Sequence, residues 1–267
     1  MDLGLNNKVA LVLASSKGLG LACAKVFYNE GANVIICSRS KKNLETARQE
    51  ITNNSKPKPI NEILALKVDL NDEEQISVLF KDTMKKFGKI DILVHNAGGP
   101  HSAPISEISK EDWQNSINLN LLSFVRISEL VLPIMQQQHF GRIIAITSVS
   151  VKQPLKNLVL SNTIRLGVVG YAKTLANEYA KDNILVNVAC PGPTLTNRMR
   201  ELIKAQTNET GNSEQEIMNF WLNDIPLGRF GQPEDLANLV VFLASEKASY
   251  ITGTVIQVDG GFVKSSL

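Results

Sequence analysis

Asn157, Ser161 and Arg165 are three polar side chains at helical spacing, a pattern suited to acting together on a substrate oxygen. Residues four apart share one face of a helix, so a helix over this stretch would carry them as a single polar row facing a cleft. A serine hydroxyl donates one hydrogen bond, and a guanidinium stays protonated at any usable pH. The chemistry open to such a row is polarisation of an oxygen and stabilisation of negative charge as it develops. An aliphatic hydroxyl is a very weak acid, which makes Ser161 a poor general acid. Ser161-Asn162-Thr163 also has the composition of a helix amino cap, where a serine oxygen accepts from amides two or three residues on. On that alternative Ser161 is structural.

The elements that must position this row are legible along the chain. Short β-branched runs at 9–13, 33–37, 63–68, 92–95, 142–147, 184–189 and 255–258 alternate with longer helical patterns. That alternation predicts an α/β fold: a Rossmann-type doubly wound parallel sheet of about seven strands with helices on both faces. The runs are apolar almost throughout, as strands buried on both faces should be. A chain of 267 residues is long enough for a large core, and a single domain over 1–267 is expected. The most polar stretch, 197–223, holds Asn208-Glu209-Thr210-Gly211-Asn212-Ser213 between two helical patterns. It reads as a helical substrate lid at about 197–225.

After the first strand comes Ala14-Ser15-Ser16-Lys17-Gly18-Leu19-Gly20, leading into a helix that begins near Leu19. Glycines at a strand-to-helix turn let backbone amides approach a pyrophosphate, and the helix amino terminus offers unpaired N–H groups. Strand, turn, helix and second strand within about thirty residues fit a dinucleotide site. The second strand ends at Cys37-Ser38-Arg39, where such folds contact the adenosine ribose. No carboxylate stands there to repel a phosphate, and Arg39 with Lys17 could clamp one, so NADP(H) is expected in preference to NAD(H).

Composition narrows the partners. The formal net charge is +2 and no basic stripe is present, which argues against nucleic acid and membrane surfaces and leaves a small-molecule substrate. The amino terminus lacks a basic region followed by an apolar run, so a cytoplasmic location is expected. Cys23, Cys37 and Cys190 have no spacing for a disulfide framework or a metal site and read as packing thiols. His101, in Gly98-Gly99-Pro100-His101 after the fourth strand, is a candidate substitute proton donor, since histidine titrates near neutrality. His95 should pack beneath the turn, and His139 should lie at the opposite edge of the sheet.

Gly18-Leu19-Gly20, Val68-Asp69-Leu70, Asn96-Ala97-Gly98, Asn120, Ser148, Pro191-Gly192 and the closing Tyr250-Ile251-Thr252-Gly253 with Val258-Asp259-Gly260-Gly261 together resemble the short-chain dehydrogenase/reductase family. The 3-oxoacyl-carrier-protein reductase-like members are the nearest in pattern, through Pro226-Leu227-Gly228-Arg229 and Gln232-Pro233-Glu234-Asp235. The resemblance implies hydride transfer to or from a carbonyl and usually a homo-oligomer, tetramer or dimer. It further implies that Ser16, Lys17, Gly18, Leu19 and Gly20 form the cofactor turn and that Asp69, beside Leu70, binds the adenine. Asn96, Ala97 and Gly98 would hold the end of the fourth strand against the cofactor. Pro191, Gly192, Thr194 and Thr196 would line the nicotinamide and pyrophosphate.

Asn120 would kink its helix and hold a water of a proton relay, and Ser148 would hydrogen-bond the substrate oxygen. Two positions depart from the pattern. Ala14 stands at the family's first glycine. In register with Leu166-Gly167-Val168-Val169-Gly170, the family tyrosine falls at Ser161 and its lysine at Arg165, which would also contact the nicotinamide ribose. Two readings stay open: an oxidoreductase with an altered proton-transfer site, and a non-catalytic NADP(H)-binding protein that has lost its general acid.

Overall fold

The computed structural model describes residues 1–53 and 61–265. All seven β-branched runs form strands: β1 (Val9–Val12), β2 (Asn33–Ser38), β3 (Ile63–Lys67), β4 (Ile92–His95), β5 (Gly141–Ile146), β6 (Ile184–Pro191) and β7 (Val255–Val258). They make one sheet of order β3-β2-β1-β4-β5-β6-β7 with every pair parallel. Leu11 sits opposite Ile35 on one side and Leu93 on the other.

Alternate residues of a strand feed opposite faces, which is why β1 has no polar position. Val9 and Leu11 join the core under α3 (Glu73–Phe87), α5 (Ser123–Gln138) and α6 (Val159–Tyr179). Ala10 and Val12 join the core under α1 (Gly18–Asn29), α2 (Lys41–Asn53) and α9 (Pro233–Ala244). Burial on both faces holds for β1, β2 and β4 to β6, whereas the edge strands β3 and β7 are only half-buried.

Order reverses between β1 and β4, the crevice where ligands of open parallel sheets bind. The helices end where the sequence changes conformation. Asp72 caps α3 by accepting from the Gln75 amide at 3.1 Å, and Gly88 closes it at φ +70°. His139 ends α5 in the left-handed region and starts the approach to β5, at the sheet edge away from the crevice. By length and composition, the helical stretch Lys110–Gln138 is long and apolar enough to cross a membrane. Here Phe124, Ile127, Val131 and Met135 of this stretch are fully buried against the sheet.

Candidate active site

A cleft of about 520 Å³ runs along the carboxyl ends of the strands. Its first half is built by the turn after β1. Ser15 Oγ donates to the Val12 carbonyl at 2.7 Å and accepts from the Cys37 amide at 3.1 Å, tying the turn to β2. Ala14 holds φ +46°, a left-handed conformation that disfavours any residue with a Cβ by about 1–2 kcal/mol.

Gly18 begins α1 at φ +58° and lines the cleft with Ser16, Lys17 and Leu19. Gly20 lies behind the turn and does not line it. A Cβ there would stand 2.7 Å from the Ala14 carbonyl oxygen and 2.8 Å from Asn96 Nδ2, so the glycine lets helix and strand approach. Asn96 Nδ2 donates to the Leu13 and Ala14 carbonyls at 3.3 and 3.1 Å, pinning the end of β4 to the same turn. Lys17 and Arg39 line the cleft, and neither has a carboxylate partner among the described residues. Two unspent cations beside exposed amides suit a phosphate-bearing dinucleotide. Ser38, Asp69, Leu70, Ala97 and Gly98 line this half as expected, and Asn43, which the sequence did not single out, joins them.

The second half lies over β5 and β6. Ser148 leaves β5 with extended backbone, and its Oγ accepts from the Ser150 amide at 3.1 Å, leaving its proton free. Ser150 Oγ and Ser161 Oγ are 3.0 Å apart. Helix α6 begins at Val159, so Ser161 sits inside its first turn and is not the cap, which overturns the capping alternative. Asn157 precedes the helix at φ +59°, and its carbonyl accepts from Ser102 Oγ at 3.0 Å. It is therefore outside the row, which consists of Ser161 and Arg165. Both are nearly buried and both line the cleft.

Arg165 Nη1 donates to the Ile146 carbonyl at 3.2 Å, while its Nε has no partner among the described residues. Burial, and then the charge of Arg198, pull its pKa down to about 10, which still leaves it cationic at neutral pH. Pro191, Gly192, Thr194 and Thr196 complete the wall. Thr196 caps α7 (Asn197–Thr210) by accepting from the Met199 amide. The polar stretch forms α7 and α8 (Glu214–Asn223), and Met199, Leu202 and Trp221 face the cleft.

Two candidates lie elsewhere. Asn120 is buried behind the cleft in a π turn, Asn118–Leu122, donating to the Ser116 carbonyl at 3.3 Å with Oδ1 unpartnered. His101 is turned out to solvent, with Nδ1 3.2 Å from Asp112 Oδ1, and does not line the cleft. It is corrected as a proton donor. His95 is buried against Ser123 Oγ at 3.0 Å, and burial together with the charge of Arg165 pushes it down to about 3. Burial raises the Cys23 and Cys37 thiols to about 12 and raises Cys190 as well, which makes all three unreactive. Arg198 was missed because it lies in the most polar stretch of the chain, where one more cation does not stand out. Its spacing two residues after a helix-capping threonine was the available signal.

Comparison with known proteins agrees with this geometry. A family model described as enoyl-(acyl carrier protein) reductase matches residues 13–263. The chain is similar to the 3-oxoacyl-(acyl-carrier-protein) reductase FabG of Thermotoga maritima, at 36% identity over 264 residues, 97% of this chain and 99% of that relative. L-sorbose reductase from Gluconobacter frateurii, solved with NADPH and L-sorbose, superposes with a TM-score of 0.92 at 34% identity, covering 99% of this chain and 100% of the other. YwfH, an NADPH-dependent reductase involved in bacilysin biosynthesis, superposes with a TM-score of 0.91 at 27% identity, covering 97% and 100%. With a family match over residues 13–263 and relatives aligned end to end on the same seven-stranded sheet, the chain belongs to the short-chain dehydrogenase/reductase family.

Proposed function

We propose that this chain is an NADP(H)-dependent reductase of a conjugated carbonyl substrate, working without a side-chain general acid. The observation that carries the reading is the pairing of the Ser148 hydroxyl with the buried Arg165 guanidinium in one cleft. On the family register, Ser161 and Arg165 stand where tyrosine and lysine would be. Among the described residues, the ionisable groups lining the cleft are Lys17, Cys37, Arg39, Asp69, Arg165 and Arg198. They include no histidine and no phenol, and the carboxyl of Asp69 follows β3, at the other end of the cleft from Ser148.

When bound, NADPH supplies the hydride. Reduction of a plain ketone places a strongly basic alkoxide in the site, and that alkoxide wants a proton as it forms. Hydride addition to the carbon β to a carbonyl yields an enolate, whose spread charge makes its oxygen a much weaker base. Ser148 Oγ and Arg165 can hold that oxygen by donated hydrogen bonds and fixed charge. The α-carbon then takes its proton from water.

Ser148→Ala is expected to slow NADPH oxidation with an enone such as benzylideneacetone by about 10²–10³-fold while leaving NADPH binding intact. If the parent binds NADPH tightly yet reduces nothing across a panel of ketones and enones, the second reading, a non-catalytic NADP(H)-binding protein, replaces this one. The absence of an acid beside Ser148 is what favours that alternative.

Cofactor choice is tested separately. Lys17 and Arg39 should make NADPH bind more tightly than NADH, and Arg39→Ala should weaken NADPH by about 10–100-fold, the worth of a charged hydrogen bond, without changing NADH. Equal affinities in the parent, measured by fluorescence titration, would mean that Lys17 and Arg39 form no phosphate clamp. Helices α7 and α8 act in this reading as the substrate lid, checked by hydrogen exchange with and without NADPH. The homo-oligomer rests on the family resemblance and is tested by light scattering, and the cytoplasmic location stays an expectation from the sequence.

A further inference from the structure

We infer that the substrate carries a carboxylate beside its reacting carbonyl, a 2-oxo acid grouping held between Arg198 and Arg165. The inference rests on the reductase reading and adds the class of substrate. Among the described residues, the substrate half of the cleft holds two guanidinium groups and no acidic side chain, since Asp69 stands at the β3 end of the cleft with Ser38 and Arg39. Arg198 is fixed in place: its Nη2 donates to the Pro100 carbonyl at 2.7 Å, clamping α7 to the loop after β4. A Cβ on Gly99 would lie 3.0 Å from Arg198 Nε, so the glycine leaves the guanidinium its place.

The charge of Arg198 is poorly spent. Its nearest carboxylate, Glu201, is 3.8 Å away and largely in water. Arg165 is 8% exposed and has an unpartnered Nε, and the two cations repel one another closely enough to depress the pKa of Arg165. A buried cation without a counter-ion is unfavourable, and a neutral substrate would leave this one unrelieved. A carboxylate satisfies both groups at once. Leu155, Leu158, Leu202 and Trp221 supply apolar wall for the rest of such a molecule.

The test uses two probes of one shape, benzylidenepyruvate and benzylideneacetone, which differ by a carboxylate in place of a methyl group. Calorimetric binding to the NADP-loaded protein should favour benzylidenepyruvate by about 10–100-fold. Arg198→Gln should bring that ratio close to one, and Arg198→Lys should keep part of it. Equal binding of the two probes by the parent overturns the inference. So does an Arg198→Gln protein that loses NADPH affinity and keeps the probe ratio, because the anion served would then be a cofactor phosphate. Binding is read without turnover, so selective binding of benzylidenepyruvate with no reduction of either probe would overturn the reductase reading alone.

Discussion

Arg165→Met should make the protein more stable and far less active. The side chain is almost fully buried, donates to the Ile146 carbonyl and leaves Nε unsatisfied. Its folded-state pKa lies near 10, well below the ordinary guanidinium range, so the protonated form is the one that folding disfavours. The ligand-free protein therefore carries this cost at every pH below about 10 and loses it only as pH rises through that value. Methionine fills similar space without charge. Replacing buried charge with an apolar side chain stabilises by about 1–4 kcal/mol in comparable cases, and the Ile146 carbonyl left without a donor offsets about 1 kcal/mol. A net gain of up to about 3 kcal/mol corresponds to a rise in Tm of up to roughly 12 °C. Enone reduction should fall by about 10²–10³-fold, the effect of losing one preorganised oxyanion donor. Calorimetric melting near pH 7 and NADPH oxidation read the two effects on one sample. A lower Tm would show that Arg165 is there to hold β5 to α6, and the assignment to oxyanion binding would fail.

Much of this architecture could be read from the residues because double burial leaves a plain mark: β1 has no solvent side and reads as an unbroken apolar run, and β4 and β5 are broken only by the buried His95 and Arg142. The cofactor turn was legible for a related reason, since glycine beside a strand end has few other uses, although Gly20 proved to serve packing rather than the cleft wall. Failures came where direction depends on distant contacts. Helical spacing put Asn157 in the row, but a left-handed turn at that residue delays α6 until Val159. His101 points outward because it pairs with Asp112, a residue already engaged in the capping box that starts the next helix, α4 (Lys110–Ile117). Arg198 was not read as a site residue because its spacing after Thr196 is a faint signal, and the fold of α7 over the loop after β4 is what carries it into the cleft.

Restoring a phenol and an ammonium by Ser161→Tyr with Arg165→Lys should turn the site toward plain ketones, raising their reduction by about 10²–10⁴-fold, the usual contribution of a positioned general acid. Position 161 suits the change, because the hydroxyl it now carries is 3.0 Å from Ser150 Oγ and already faces the cleft. A tyrosine ring would extend from that point into open space beside Leu155 and Leu158. Its phenol titrates near 10 unaided, and a neighbouring lysine cation lowers that value toward neutrality. Arginine could supply the same charge, but lysine places it as a compact ammonium on a flexible stem that can approach the phenol while leaving the Ile146 carbonyl. Ser161→Tyr alone should therefore gain less than the pair. Enone reduction should fall in the same protein, since the guanidinium that holds the enolate is gone. Product analysis after single turnover separates saturated ketone from alcohol, and the gained activity should acquire a pH dependence that the parent lacks. An unchanged ketone rate in a protein that still binds NADPH would mean that position 161 does not face the reacting oxygen, and the proton-transfer register assigned to α6 would be wrong.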